Sequence, residues 1–163
     1  MSDLSKPEKA AYEHLKLRGD ARGLTGRSMC YQDLKTFWEA GRMRGTPLDE
    51  DRLQSSSWEP ILATEAYWLR MQGTGGFRPL TGRSVEQTLA AMDETSVQRA
   101  DISEGRTIRP GETWLVKLAD SITINKGEYV KASPKSSIGR CFLYVRLIAD
   151  KHGSFDEMHG TGE

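Results

Sequence analysis

From Thr107 onward the chain is a succession of short β-prone runs, and this limits the fold more than any other feature of the sequence. Trp114-Leu115-Val116, Ile122-Thr123-Ile124 and Glu128-Tyr129-Val130 are short strand candidates separated by Gly, Asp, Asn and Lys turns. Cys141 to Ile148 is a longer one, rich in aromatic and branched side chains. Short strands at such close intervals favour a β-barrel or sandwich over a parallel α/β sheet. The last stretch, Lys151 to Glu163, is rich in Gly, His and acid, with Phe155 its one aromatic residue, and predicts no closing strand.

Before Thr107 the pattern is mixed. Three segments have helical spacing. Pro7 to Arg18 carries Ala11, Leu15 and Leu17 on one side, and Met29 to Arg42, with Ser28 as its N-cap, places Leu34, Phe37 and Trp38 together. Ser84 to Arg99 aligns Val85, Leu89 and Met92, with Ser84 as its own cap. Leu53 to Arg70 interleaves Trp58, Ile61, Leu62, Tyr67 and Trp68 with polar residues and predicts strands joined by a turn. Met71 to Arg83, with Gly73, Gly75, Gly76, Pro79 and Gly82, predicts a long loop. The expected class is mainly β with added N-terminal helices (α+β). A helical extension covers 1–50 and a β module 51–163, with a loop and helix inserted at about 71–100.

Composition narrows the function classes. The 163 residues include 23 Lys plus Arg against 23 Asp plus Glu, so no net field draws the chain to nucleic acid or to anionic lipid, and a charged ligand needs a local cluster. No apolar run reaches the roughly 18–20 residues of a membrane span, and the first residues lack the apolar centre of a secretory signal, so the cytoplasm is the default. Cys30 and Cys141 form no CxxC pair and are expected to be buried small hydrophobes, against the rival reading of a structural disulfide. His14, His152 and His159 show no metal-ligand spacing; His14 is expected on a helix and the other two in the tail. Trp38, Trp58, Trp68 and Trp114 are expected in the core. The arginines and lysines between Arg18 and Arg44 are expected on a solvated face, against the rival reading of a helical interaction domain.

One motif carries chemistry: Pro134-Lys135-Ser136-Ser137-Ile138-Gly139-Arg140. Proline biases the preceding backbone toward extended, and the two serines offer an N-cap for a short helical turn. The unpaired N–H groups of such a turn attract phosphate oxygens. Lys135 adds a charge, the serines add donors, and Gly139 lets a ligand or another chain approach the backbone. Ser136 and Arg140, four apart, share a side. By itself a Lys-Ser-Ser turn is also a common surface feature.

Around this knuckle lie the turn and strand Arg109-Pro110-Gly111-Glu112-Thr113-Trp114-Leu115-Val116, the pair Ser121-Ile122-Thr123-Ile124 and Gly127-Glu128-Tyr129-Val130, and the later Phe155-Asp156-Glu157. In this order the chain resembles the dCTP deaminases of the dUTPase-like β-clip superfamily, and is closest to their longer bacterial form with two tandem modules. Leu53-Gln54-Ser55-Ser56-Ser57-Trp58-Glu59-Pro60-Ile61-Leu62 is similar to the family's Gln-Pro-x-Ser-x-Asp/Glu-x-Arg-Leu segment, with Ser55 in place of its Pro and Ile61 in place of its Arg. Phe142 stands where tandem relatives often have an acid. The resemblance is strongest from about Arg109 to Asp156 and thin over the first fifty residues.

The resemblance implies a distorted β-clip barrel that assembles as a homotrimer or a tandem-module trimer-like unit, with sites between neighbouring subunits. It implies a zinc-independent hydrolase that converts dCTP to dUTP and ammonia in pyrimidine deoxynucleotide biosynthesis. The zinc deaminase pattern is absent from the sequence, in keeping with that chemistry. Lys135 and Ser137 would contact the triphosphate, with Mg²⁺ as companion ion. Ser136 and Arg140 would hold the attacking water and the charge developing at the pyrimidine C4. The family's general base is a glutamate on a further strand behind a Gly-Tyr/Trp-x-Gly turn. No such strand is legible before Glu163, so the chain is expected to be truncated, its barrel incomplete and its isolated form inactive; Glu157 and Glu163 are not expected to serve as base. The rivals are a non-catalytic nucleotide-binding or assembly module, and a dUTP pyrophosphatase, whose aspartate-containing uridine pocket and Phe-containing arm are not visible.

Overall fold

The structure is a computed structural model that describes residues 28–47, 49–70 and 77–160. The helix expected at Pro7 to Arg18, with His14, and Glu163 at the other end lie outside the described residues. The elements run α1 (Tyr31–Glu39), β1 (Met43–Arg44), a 3₁₀ turn (Glu50–Arg52), β2 (Leu62–Leu69), α2 (Val85–Ala90), β3 (Val97–Asp101), β4 (Thr113–Leu118), β5 (Ser121–Ile122), β6 (Tyr129–Lys131), α3 (Ser136–Arg140) and β7 (Glu157–His159). The sheets are β1-β5, β3-β2-β4 and β6-β7. Pairing is antiparallel for β1 with β5, β2 with β3 and β6 with β7. The class is mainly β with few helices, as expected, and the described strands do not close into a barrel. The chain divides into two compact units, Met1–Ala63 with Leu118–Thr123, and Thr64–Lys117 with Ile124–Glu163.

In the first unit, α1 is shorter than the predicted Met29–Arg42. Its N-cap is Cys30 rather than Ser28, because the Asp33 carboxylate accepts the Cys30 N–H at 3.0 Å and closes a capping box there. It ends at Gly41, whose φ of 70° suits a left-handed position that residues with a Cβ resist. The Gly41 N–H donates to Trp38 O at 2.8 Å and the Arg42 N–H to Phe37 O at 3.2 Å, which together satisfy the last turn in a Schellman motif. The apolar face that spacing predicts is real: Leu34 and Phe37 pack with Met43 and Leu53, and Trp38, Trp58 and Ile122 lie against them. Of the strands expected over Leu53 to Arg70, the first is only a bridge, Leu53 to Trp58, around a tight turn. The strand expected over Ile122 to Ile124 is cut to Ser121–Ile122.

The polar centre of this unit was not foreseen. The Asp120 side chain is fully buried and pairs with the Arg52 guanidinium. It also accepts from the Thr46 N–H at 2.9 Å, the Thr46 hydroxyl at 2.8 Å and the Ile61 N–H at 2.6 Å. Arg52 in turn donates to Glu59 O at 2.9 Å and Thr46 Oγ1 at 2.6 Å, and its guanidinium lies 5.9 Å from the ring centroids of both Trp38 and Trp58. Every member therefore has partners, which is the condition for tolerating charge in a core. Burial alone would raise the Asp120 pKa, but the bonds from Ile61 and Thr46 and the Arg52 charge outweigh it and hold the carboxyl below its ordinary value.

Gly45 makes this arrangement possible. Its φ is 137°, and a Cβ there would strike Asp120 Oδ1 and lie 2.7 Å from Ala119 O. Gly45→Ala is expected to destabilise the unit by about 2–4 kcal/mol, strain and overpacking together. Urea unfolding followed through tryptophan fluorescence measures it, and a loss under about 1 kcal/mol would contradict the packing described.

In the second unit β2 runs against β3 with Glu65 opposite Asp101 and Leu69 opposite Val97. This corrects the helix expected over Ser84 to Arg99. Ser84 does cap it, accepting the Gln87 N–H at 3.1 Å, but the helix stops at Ala90. Asp93 then accepts the Thr95 N–H at 2.8 Å and the Thr95 hydroxyl at 2.6 Å, a side-chain turn that competes with helix and delivers Val97 to the sheet. Trp68 and Trp114 stack with ring centroids 6.2 Å apart, flanked by the guanidinium groups of Arg70 and Arg106. These tryptophans are half-buried.

Candidate functional site

The knuckle is built by the hairpin before it and the clamp after it. The turn Asn125 to Glu128 closes with the Glu128 N–H donating to Asn125 O at 3.0 Å, and Gly127 holds a φ of 85°. It feeds β6, which lies one residue later than the predicted Glu128-Tyr129-Val130 and pairs with β7: Tyr129 opposite His159, Val130 opposite Met158, Lys131 opposite Glu157. The expectation that no strand forms after Lys151 is thus corrected. Glu157 and His159 sit in a strand, and the His159 ring lies 4.8 Å from that of Tyr129. Gly160 permits the closure, because a Cβ there would meet Asn125 backbone.

Asp156, at a φ of 63°, joins the flanks of the knuckle. Its carbonyl accepts the Ala132 N–H at 2.8 Å, on the side before the knuckle. Its N–H donates to Leu147 O at 2.9 Å and its Oδ1 accepts the Leu147 N–H at 2.7 Å, on the side after it. Its other oxygen pairs with Arg146, whose guanidinium lies 5.1 Å from the Phe155 ring and donates to the Tyr144 hydroxyl at 2.8 Å. The Phe155-Asp156 pair was visible in the sequence only as part of a resemblance; this bracing role was not.

Between these flanks, Ser136–Arg140 forms the short helix that the motif predicts. Lys135 occupies the N-cap, with φ −58° and ψ 142° and no side-chain cap bond, where a serine had been expected. Both serines lie inside the first turn instead. The Ile138 N–H donates to Lys135 O at 2.9 Å, while the Ser136 and Ser137 amides have no backbone acceptor among the described residues. Lys135, Ser136, Ser137 and Arg140 are all exposed, with Ile138 the half-buried residue of the turn. One helical turn therefore presents two amides, two hydroxyls and two cations together. A recess of about 240 Å³ elsewhere in this unit is lined by Thr64, Glu65, Arg99, Ala100 and Asp101, and includes none of the knuckle residues.

A Cβ on Gly139 would meet nothing within 4 Å. Gly139→Ala is therefore expected to leave the thermal midpoint unchanged or slightly raised, by up to about 1 kcal/mol of helix propensity. A drop in midpoint would show that the glycine serves this chain's own packing rather than the approach of something else.

The strand expected at Cys141 to Ile148 does not form; only Ile148 makes a bridge, to Phe155. The helix ends at Cys141, with Phe142 at a φ of 58°. The Phe142 N–H donates to Gly139 O at 3.0 Å and the Leu143 N–H to Ile138 O at 3.4 Å. This is the motif that closes α1, but with phenylalanine in the place of Gly41, a left-handed position that costs a residue with a Cβ about 1–2 kcal/mol. Cys141 is exposed and Cys30 half-buried, and neither is in a disulfide, so neither is the buried residue expected. Among the described residues no group of three or more His, Cys, Asp or Glu could hold a metal ion. No described helix is long and apolar enough to cross a membrane.

Comparison with known proteins agrees with this order of elements. A family model described as the 2′-deoxycytidine 5′-triphosphate deaminase (DCD) N-terminal domain matches residues 27–162. No curated protein sequence matches the chain. The crystal structure of 2′-deoxycytidine 5′-triphosphate deaminase from Agrobacterium tumefaciens is similar with a TM-score of 0.73 and 23% identity, over 84% of this chain and 39% of that one. The chain thus spans about two-fifths of the length of that protein, and shares its fold. The family match takes in the hairpin, the knuckle and the Asp156 brace, and on it the chain belongs to the dCTP deaminase N-terminal-domain family.

Proposed function

We propose that this chain contributes the phosphate-holding knuckle of a dCTP deaminase, an enzyme that hydrolyses the C4 amino group of dCTP to give dUTP and ammonia. The observation that carries the reading is the exposed helical turn Ser136–Arg140 in a member of the deaminase family. Lys135, Ser137 and the first-turn amides would hold the triphosphate. Ser136 and Arg140, on one side of the turn, would place donors where negative charge develops as water adds to C4, a form of stabilisation strongest where water is excluded. The base that deprotonates that water would come from outside the knuckle. The site would then be completed across a subunit boundary in a homotrimer or tandem-module assembly, in the cytoplasm.

The chemistry proposed needs no zinc. Mg²⁺ would arrive bound to the triphosphate, as this ion commonly does, and the knuckle's hydroxyls, amides and cations suit the phosphates rather than the metal. The test is ammonia and dUTP release from dCTP by the protein that contains this chain. Turnover that needs Mg²⁺ and withstands a zinc chelator is expected. Tight dCTP binding with no ammonia would instead favour a non-catalytic nucleotide-binding module. Turnover of dUTP to dUMP would favour the pyrophosphatase.

A further inference from the structure

One residue fastens the knuckle to the rest of its unit at both ends. Among the described residues, the backbone of 133–146 hydrogen-bonds only within itself. The Ile138 and Gly139 N–H groups donate to Lys135 O, those of Cys141 and Leu143 to Ile138 O, and that of Phe142 to Gly139 O. The first bonds outward are at Ala132, whose N–H donates to Asp156 O, and at Leu147, which bonds the Asp156 N–H and Oδ1. The Asp156 carbonyl thus serves one flank, and its N–H and carboxylate serve the other. It does so at a φ of 63°, one of three residues other than glycine held at a positive φ among those described. Such conformations cost free energy, persist where the surroundings enforce them, and concentrate at ligand sites.

We propose that Asp156 is a positioning residue for nucleotide binding. It sets the separation of Ala132 and Leu147 and so holds the Ser136–Arg140 turn in the shape that takes phosphates, without itself touching the nucleotide. This rests on the reading of that turn as a phosphate cradle. The physical reason is preorganisation. A helix of one turn is marginal alone, so its shape before a ligand arrives depends on where its ends are held. A cradle ordered in advance loses no binding free energy to ordering when the ligand arrives. Aspartate suits the corner on two counts: its short side chain tolerates left-handed backbone, and its Oδ1 accepts the Leu147 N–H at 2.7 Å. The other oxygen pairs with Arg146 in a partly exposed position, where an ion pair contributes little.

Three substitutions in the full chain separate these parts. Asp156→Asn keeps a residue that visits left-handed backbone and an oxygen for the Leu147 N–H. Asp156→Gly keeps the backbone freedom alone, and Asp156→Val, β-branched, resists the conformation. Affinity for dCTP with Mg²⁺ is measured at a temperature where every variant is folded, so that lost stability does not register as lost binding. It should stay within about threefold in Asp156→Asn, fall further in Asp156→Gly, and fall at least about tenfold in Asp156→Val. Amide hydrogen exchange without nucleotide should quicken at Ile138, Cys141 and Phe142 in the same order, with the first unit unchanged. A loss of affinity in Asp156→Asn as large as in Asp156→Val, with exchange unaltered, would mean direct contact with the nucleotide and overturn the proposal. Exchange unaltered in Asp156→Val would overturn it whatever the nucleotide does. Wild type that binds no dCTP, beside variants whose exchange quickens, would instead remove the cradle reading and leave Asp156 as the residue that holds the turn.

Discussion

Asp120→Ala is expected to destabilise the first unit by about 3–5 kcal/mol, the range for removing one partner of a buried ion pair. The side chain is fully buried and gathers the Arg52 guanidinium, two donors from Thr46 and the Ile61 N–H. Without it, Arg52 is left as an uncompensated charge beside Trp38 and Trp58, and the Ile61 and Thr46 donors lose their acceptor. Denaturant unfolding read through tryptophan fluorescence gives the number; a cost below about 1 kcal/mol would mean that water reaches the pair. The same group sets an acid response. Its folded pKa lies below its unfolded one, so its contribution is complete above the unfolded value, near 4, and is lost as pH falls through the folded value. Wild type should therefore lose stability on acidification below about pH 4 more steeply than Asp120→Asn, which has no carboxylate to protonate.

In the protein that contains this chain, Arg140→Ala is expected to lower dCTP turnover by about 10²–10³-fold, the loss found when a preorganised donor to developing charge is removed. The residue is exposed, so the thermal midpoint should not move. Arg140→Lys should recover little, because an ammonium cannot reproduce a planar fork of donors. Full activity in Arg140→Ala would remove the residue from the chemistry.

How much of this was legible in the sequence differs by element, for physical reasons. The knuckle was readable because proline, paired serines and a following glycine act locally; only the cap was misplaced, by one residue, onto Lys135. The helix over Tyr31–Glu39 was readable from the spacing of Leu34, Phe37 and Trp38. Ser84 to Arg99 misled because helical spacing continues through Val97, whereas Asp93 turns the chain through a side-chain bond that periodicity does not register. Cys141 to Ile148 has every strand-forming residue type, but a strand needs a neighbour, and among the described residues Ile148 alone makes a bridge. Asp120 and Arg52 are 68 residues apart, and only the fold reveals that they meet. Asp156 was quoted as part of a resemblance, yet its bonds to Ala132 and Leu147 are visible only once the hairpin closes.

The most direct measurement is a calorimetric titration of the chain with dCTP and Mg²⁺, beside Lys135→Ala and Ser137→Ala at the two positions assigned to the triphosphate. Saturable binding by wild type, weakened at least about tenfold in each variant without loss of thermal stability, is the expected result. Heats that never saturate, or dCTP affinity indifferent to both substitutions, would contradict the assignment of the Lys135 to Arg140 turn as the phosphate cradle.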